Sequence, residues 1–151
     1  MIDFEVLIER AAREGIERIG VGIVVRNASG RILMIRRAPN DVLPGRWEYP
    51  GGGREEGESV PAGAARELAE ETGLTGLPLE YARHLDFTDR RGRRVRQFVF
   101  TAVVPDGLGD EGLAVRMVPL DEVPLLRVPP YLRPYLPLLA TAADQTSGST
   151  V

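Results

Sequence analysis

Residues 51–74 read GGGREEGESVPAGAARELAEETGL, a glycine-rich loop running into a helix whose charges are placed against ordinary helix stability. Ser59 is a fitting N-cap, Pro61 is tolerated in the first turn, and Gly73 stands where a helix takes its left-handed closing residue. The spacing therefore predicts a helix over residues 59–72. At about 100° per residue, Glu67, Glu70, Glu71 and Arg66 gather on one side. Pro61, Ala64, Ala65, Leu68 and Thr72 fall on the other, a small apolar face suited to packing on a sheet.

Stability alone would not choose the acidic side. Glu67 and Glu71 are a like-charge i,i+4 pair, which costs roughly 0.2–0.5 kcal/mol. Glu70 and Glu71 also lie in the last turn, where the helix dipole favours cations. A solvated acidic face is one reading of this pattern. The loop in front of the helix supports another: Gly51, Gly52, Gly53 and Gly57 let the backbone approach a ligand closely, and Glu55, Glu56 and Glu58 add acid beside it. Carboxylates with backbone carbonyls make an all-oxygen site for a hard divalent cation, Mg²⁺ or Mn²⁺, which would offset their repulsion.

Around this segment the chain has the size and composition of one domain. It has 151 residues, 43% hydrophobic and 27% charged, enough for one core and too apolar for a disordered chain. Residues 1–140 are expected to form that domain and residues 141–151, small and polar, a disordered tail. No apolar run is long enough to span a membrane, and the charged N-terminus is not a signal peptide. The chain has no cysteine, which excludes disulfides, thiolate metal sites and thiol nucleophiles. A cytoplasmic protein is the simplest expectation. All 19 basic residues are arginine, so lysine Schiff bases and P-loop lysines are excluded too. The net charge of -3 argues against general nucleic-acid affinity, and no nucleic-acid partner is expected. One local exception is Arg90, Arg91, Arg93, Arg94 and Arg96 around Gly92. That run reads as a solvated hairpin tip or as a contact for an anionic ligand or partner.

Working outward, residues 4–18 carry Phe4, Leu7, Ile8, Ala11 and Ala12 at helical spacing. Residues 19–26 and 31–37 are apolar runs about an Asn27-Ala28-Ser29-Gly30 turn, a hairpin. Further strands are expected at 47–49, 79–88, 94–104 and 114–118, a turn at 119–123 and a closing helix at 130–140. The order lacks the regular βαβ rhythm of a doubly wound sheet. It indicates an α/β fold of the α+β type, a mixed β-sheet sandwiched between helices.

The same residues resemble the Nudix hydrolase signature, Gx5Ex7REUxEExGU with U aliphatic. It is met by Gly52, Glu58, Arg66, Glu67, Leu68, Glu70, Glu71, Gly73 and Leu74. At average residue usage a chance match somewhere in the chain is on the order of 10⁻⁷. The hairpin ending in Arg36-Arg37-Ala38 and the run Trp47-Glu48-Tyr49-Pro50-Gly51-Gly52 are similar to the MutT-like branch. Arg54 departs from the pattern, which usually has an aliphatic residue there, and adds positive charge beside the site.

The resemblance implies a Nudix fold and hydrolysis of a nucleoside diphosphate linked to another group. It implies Glu67, Glu70, Glu71 and the Gly51 carbonyl as ligands of Mg²⁺ (or Mn²⁺), with Arg66 orienting Glu67. Glu67 is favoured as general base. Glu111 lies where the MutT-like branch carries a further loop acid, as ligand, base or an ordinary acidic turn. Arg37 is the candidate for substrate phosphate, against a solvent-exposed strand end; Trp47 either stacks on a base or anchors the packing. His84 is expected to be structural, and Tyr81 and Phe87 to be core. The expected substrate is a small-molecule nucleotide, most simply a nucleoside triphosphate split to monophosphate and pyrophosphate. The alternatives are an ADP-ribose or nucleotide-sugar pyrophosphatase and a non-catalytic nucleotide-binding sensor, with the oligomeric state left open.

Overall fold

The computed structural model of the chain describes residues 1–36, 47–105 and 115–119. Along them run α1 (Phe4–Arg13), β1 (Arg18–Asn27), β2 (Arg31–Arg36), β3 (Trp47–Glu48), β4 (Gly51–Gly53), α2 (Val60–Thr72), β5 (Glu80–Thr88), β6 (Arg94–Val104) and β7 (Val115–Pro119). Glu111, Arg37, the expected closing helix and the expected tail lie outside the described residues. No helix among the described residues is long and apolar enough to cross a membrane.

The sheet is mixed, as expected. β1 and β6 lie parallel, from Arg18 opposite Val95 to Asn27 opposite Val104, and the other pairings are antiparallel. This register puts Val21 beside Phe98 and Ile23 beside Phe100 on one face of the sheet. Val60, Ala64 and Leu68 of α2 close on that face, and Phe4, Leu7 and Ile8 of α1 pack against the same cluster. Both described helices therefore cover one face. The narrow apolar stripe of α2 suffices for this because it is built of small residues. Ala65, at the edge of that stripe, is exposed instead.

Local chemistry sets the ends of the elements. Asp3 caps α1, its Oδ1 accepting from the Glu5 and Val6 amides at 3.1 and 3.3 Å. The helix stops at Arg13, short of the expected residue 18, because Gly15 takes a left-handed φ of 81° and turns the chain into β1. α2 begins after Ser59, whose side chain accepts from the Ala62 amide at 3.2 Å, and ends on Gly73 at φ 76°.

The arginine run divides in two. Arg90 and Arg91 stand exposed in the β5–β6 turn, as a solvated tip requires. Arg96 corrects that reading: its side chain is 6% exposed. Its Nε and Nη2 donate to the two Asp86 oxygens at 2.8 and 2.9 Å, and Nη2 also donates to Glu14 at 2.5 Å. Arg94 Nη1 donates to the Glu14 carbonyl at 2.7 Å, so both tie the end of α1 to the sheet. The Arg96 hydrogen bonds hold the Asp86 carboxyl below the ordinary carboxylate range.

Arg96→Ala should destabilise the fold by about 2 kcal/mol in urea titrations at neutral pH, less than for a fully buried pair because water reaches both freed carboxylates. Asp86 is depressed in the folded state, so its contribution is present above the unfolded pKa and fades as pH falls. The penalty should therefore shrink below about pH 4.

Candidate active site

The site lies where the sheet forks. β1 and β2 pair near their turn, Arg26 opposite Ile32. Farther along, β2 pairs with β3, Ile35 opposite Glu48 and Arg36 opposite Trp47. β1 pairs there with β4, Gly22 opposite Gly51, Val21 opposite Gly52 and Gly20 opposite Gly53. Residues 47–53 thus run between two diverging strands, and there the glycines are required. A Cβ on Gly51 would strike the Val21 carbonyl oxygen, and one on Gly22 would lie 2.6 Å from the Tyr49 ring. A Cβ on Gly52 would lie 2.5 Å from the carboxyl carbon of Glu67. The Glu67 carboxylate occupies the room that this missing side chain leaves.

Arg66 fastens the loop to the helix. Nε and Nη2 donate to the two oxygens of Glu58 at 2.7 and 3.1 Å. Nη2 also donates to the Gly53 carbonyl at 3.0 Å. Nη1 donates to Glu67 at 3.0 Å and to Glu70 at 3.2 Å. Hydrogen bonds from Arg66 hold Glu58 below its ordinary pKa, and Glu58 in turn raises that of the guanidinium. Arg54, the departure from the expected pattern, folds back on its own loop, with Nη1 donating to the Glu58 and Glu55 carbonyls at 2.7 and 3.2 Å.

The helical carboxylates do not form one uniform face. Glu67 is 14% exposed, whereas Glu70 is 58% exposed and turned toward Arg66. Glu71 is half-buried beside Glu67. Burial, a hydrogen bond shared with Glu67, and the nearby charges of Glu48 and Glu67 push it up to about 8, against a weaker pull from the Gly51 backbone. Glu48 is the residue sequence reasoning missed. Its adjacency to the Pro50-Gly51-Gly52 run was visible, but its approach to Glu71 depends on strand pairing.

This donor set fits a hard divalent cation. It is all oxygen, and the crowding of carboxylates that raises the Glu71 pKa is what a cation would relieve. Among the described residues no three acidic or histidine side chains stand close enough together to hold a metal ion by themselves. Trp47 sits next to Glu48 on β3, half-buried.

A cleft of about 200 Å³ opens beside β4, lined among others by Arg18, Glu48, Gly51, Phe87, Asp89 and Gln97. Gln97 is buried there, its Oε1 accepting from the Tyr49 hydroxyl and its Nε2 donating to the Val21 carbonyl at 3.4 Å. Tyr81 packs as core, its ring 5.4 Å from Phe4 and 5.9 Å from Phe98. His84 is exposed with its ring tilted across Phe98 at 6.2 Å. Phe87 is half-buried and faces the cleft.

Fold and signature agree with the comparisons. The NUDIX domain model matches residues 16–139, and the chain belongs to the Nudix family. It is 30% identical to the MutT protein from Methanosarcina mazei Go1, whose crystal structure superimposes with a TM-score of 0.68 over 86% of this chain and 94% of that one. It is 44% identical over 62 residues to an RNA pyrophosphohydrolase of Caulobacter vibrioides, 41% of this chain and 36% of the relative. With a MutT-like protein of Streptomyces ambofaciens it shares 53% identity over 53 residues, 35% of this chain and 31% of the relative. The matches thus span about a third of these curated relatives.

Glu71 gives the metal-free protein a distinctive pH dependence. A carboxyl raised in the folded state contributes fully below its unfolded pKa and loses that contribution as pH rises through the folded value. Melting temperature should therefore fall between about pH 4.5 and pH 8. Glu71→Gln should flatten this slope; an unchanged slope would remove Glu71 as its origin.

Proposed function

We propose that the chain hydrolyses a nucleoside 5′-triphosphate to the monophosphate and pyrophosphate in the presence of Mg²⁺ or Mn²⁺. The observation that carries this reading is the Glu67 carboxylate, seated against Gly52 and held by Arg66 beside the protonatable Glu71. Such a carboxylate is fixed in direction, mostly shielded from water and available as a base. The names of the relatives, RNA pyrophosphohydrolase and MutT-like protein, support the same class of bond.

In this mechanism Glu67, Glu70, Glu71 and the Gly51 carbonyl would hold the cation, with Glu111 as a further ligand. When bound, the cation would supply neutralisation of phosphate charge and activation of water. Glu70 is free to turn inward because its bond to Arg66 is one of five that this guanidinium makes. Glu67 takes the proton of the attacking water as the new P–O bond forms and the phosphoanhydride bond breaks. Arg66 stays charged and keeps Glu67 aligned. Arg37 binds the substrate phosphate, and Trp47 borders the nucleoside. Water attacks one of the two phosphorus atoms flanking the cleaved bond, and the fragment on the other side, nucleotide or phosphate group, leaves with the electron pair of the broken bond.

A substrate panel with magnesium, scored separately for monophosphate and pyrophosphate, tests this reading. Ribose phosphate from ADP-ribose, without pyrophosphate from triphosphates, would move the chain to the nucleotide-sugar alternative. Tight binding without turnover would make it a sensor. Glu67→Gln should lower kcat about 10³-fold with a smaller loss of metal affinity. Glu71→Gln should lose turnover to a similar extent while melting no earlier than the parent. Arg37→Ala should raise KM about tenfold with kcat little changed, whereas an unaffected KM returns Arg37 to solvent.

A further inference from the structure

The cleft lies on the face of the sheet that α2 does not cover. Side chains alternate along a strand, so Val21, Ile23, Phe98 and Phe100 point to the helix while Gly20, Val95 and Gln97 line the cleft. The lining meets the acidic side at β4, which carries no side chain at any of its three positions. Two residues from other elements use that room. A Cβ on Gly52 would strike the Glu67 carboxylate, and one on Gly53 would strike Arg18 Nη2 and lie 3.0 Å from its Cζ. Arg66 Nη2 donates to the carbonyl of the same Gly53 at 3.0 Å. The two arginines differ in what they hold. The donors of Arg66 are placed on the loop, β4 and α2, whereas Arg18 forms no hydrogen bond or ion pair among the described residues. Asp89, the acid at that end of the cleft, is turned to its own turn. Its Oδ1 accepts from the Arg91 and Arg93 amides, both at 2.9 Å, and its Oδ2 from Arg93 Nε at 2.9 Å.

A strand-end arginine in solvent needs no ligand. One laid over a glycine in the lining of a cleft presents a planar fork of donors to whatever enters. Register sets what that is. Arg18 stands opposite Val95 on β6, and Val95 opposite Phe87 on β5, so an apolar wall continues the row on one side of it. On the other side β4 runs from Gly53 to Gly51, two residues of extended chain and about 7 Å. A short run of phosphates is of that length. With its outer phosphates by Glu67 and the Gly51 carbonyl, its innermost phosphate reaches Arg18, and the nucleoside rests against Phe87 and Val95. A single divalent cation leaves a triphosphate still negative, and Arg18 is placed to meet the remaining charge.

Resting on the triphosphate reading above, we propose that Arg18 binds the phosphate joined to the nucleoside, the one that stays on the monophosphate product. Its guanidinium fixes the nucleotide side of the scissile bond, while the carboxylate side receives the part that becomes pyrophosphate. The contact persists after cleavage, whichever phosphorus the water attacks. Arg18 therefore governs retention of the monophosphate as well as uptake of the substrate.

The test compares the parent with Arg18→Ala and Arg18→Lys by titration calorimetry in the presence of Mg²⁺. The probes are the common ribonucleoside 5′-monophosphates, the matching nucleosides and inorganic pyrophosphate. Arg18→Ala should weaken the monophosphate that the parent binds about tenfold, leaving its nucleoside and pyrophosphate within about twofold. The KM for the triphosphate should rise about tenfold with kcat little changed. Arg18→Lys keeps the charge without the fork and should recover part of the loss. Because Arg18 is exposed, the melting temperature should stay that of the parent, which separates the contact from a role in folding. Unchanged monophosphate affinity, equal losses for nucleoside and monophosphate, a larger loss for pyrophosphate, or a parent that binds no monophosphate would each overturn the assignment. A parent that splits no triphosphate but binds a monophosphate through Arg18 ends the triphosphate reading and leaves the Arg18 contact standing.

Discussion

The guanidinium of Arg66 is the contact on which the site depends. An arginine has five N–H donors, and here all five are placed: two on Glu58, one on the Gly53 carbonyl, one on Glu67 and one on Glu70. These acceptors come from the loop, from β4 and from two successive turns of α2. One planar group thus fixes the distance between the glycine strand and the acidic helix. Lysine, a point charge with three donors, would leave at least two of these acceptors unserved. The bonds are charge-assisted and mostly shielded, so losing them would free Glu67 to rotate before it unfolded the domain.

What Arg66 holds in place is unfavourable by itself. Glu67, Glu71 and Glu48 approach one another at a fork in the sheet, and Glu71 is the group driven toward its protonated form. Ordinary stability would spread these charges apart. Glycine makes the opposite arrangement feasible, since any side chain on Gly52 would displace the Glu67 carboxylate and any on Gly51 would break the pairing with β1. Stability is conceded here and recovered elsewhere, in the Val21–Phe98 and Ile23–Phe100 layers and in the Arg96 clamp on α1.

The parts legible in the sequence were those whose causes are local. α2 is legible to within a residue because its cap, its early proline and its closing glycine all belong to the segment itself. β6 matched its expected span because a long apolar run brackets it. The fork was not legible. Pairing of Gly51–Gly53 with β1 joins residues some thirty positions apart, and nothing in GGG announces a strand. Glu48 was missed for the same reason. In the sequence Arg96 groups with its exposed neighbours, because composition cannot show that Asp86 and Glu14 meet it from two other elements. The acidic helix was legible as a cluster but not as a division of labour, with Glu67 and Glu71 turned in and Glu70 turned out.

A net charge near neutrality conceals this segregation. Acid is concentrated where β3, β4 and α2 converge, while Arg18 stands in the lining of the cleft beside β4. A polyanion approaching without a cation would be repelled by the carboxylates. A cation held among them would reverse the sign of the local field, so that uptake of the metal and uptake of an anionic ligand would be coupled. Coupling of this kind follows from charge placement before any base is read.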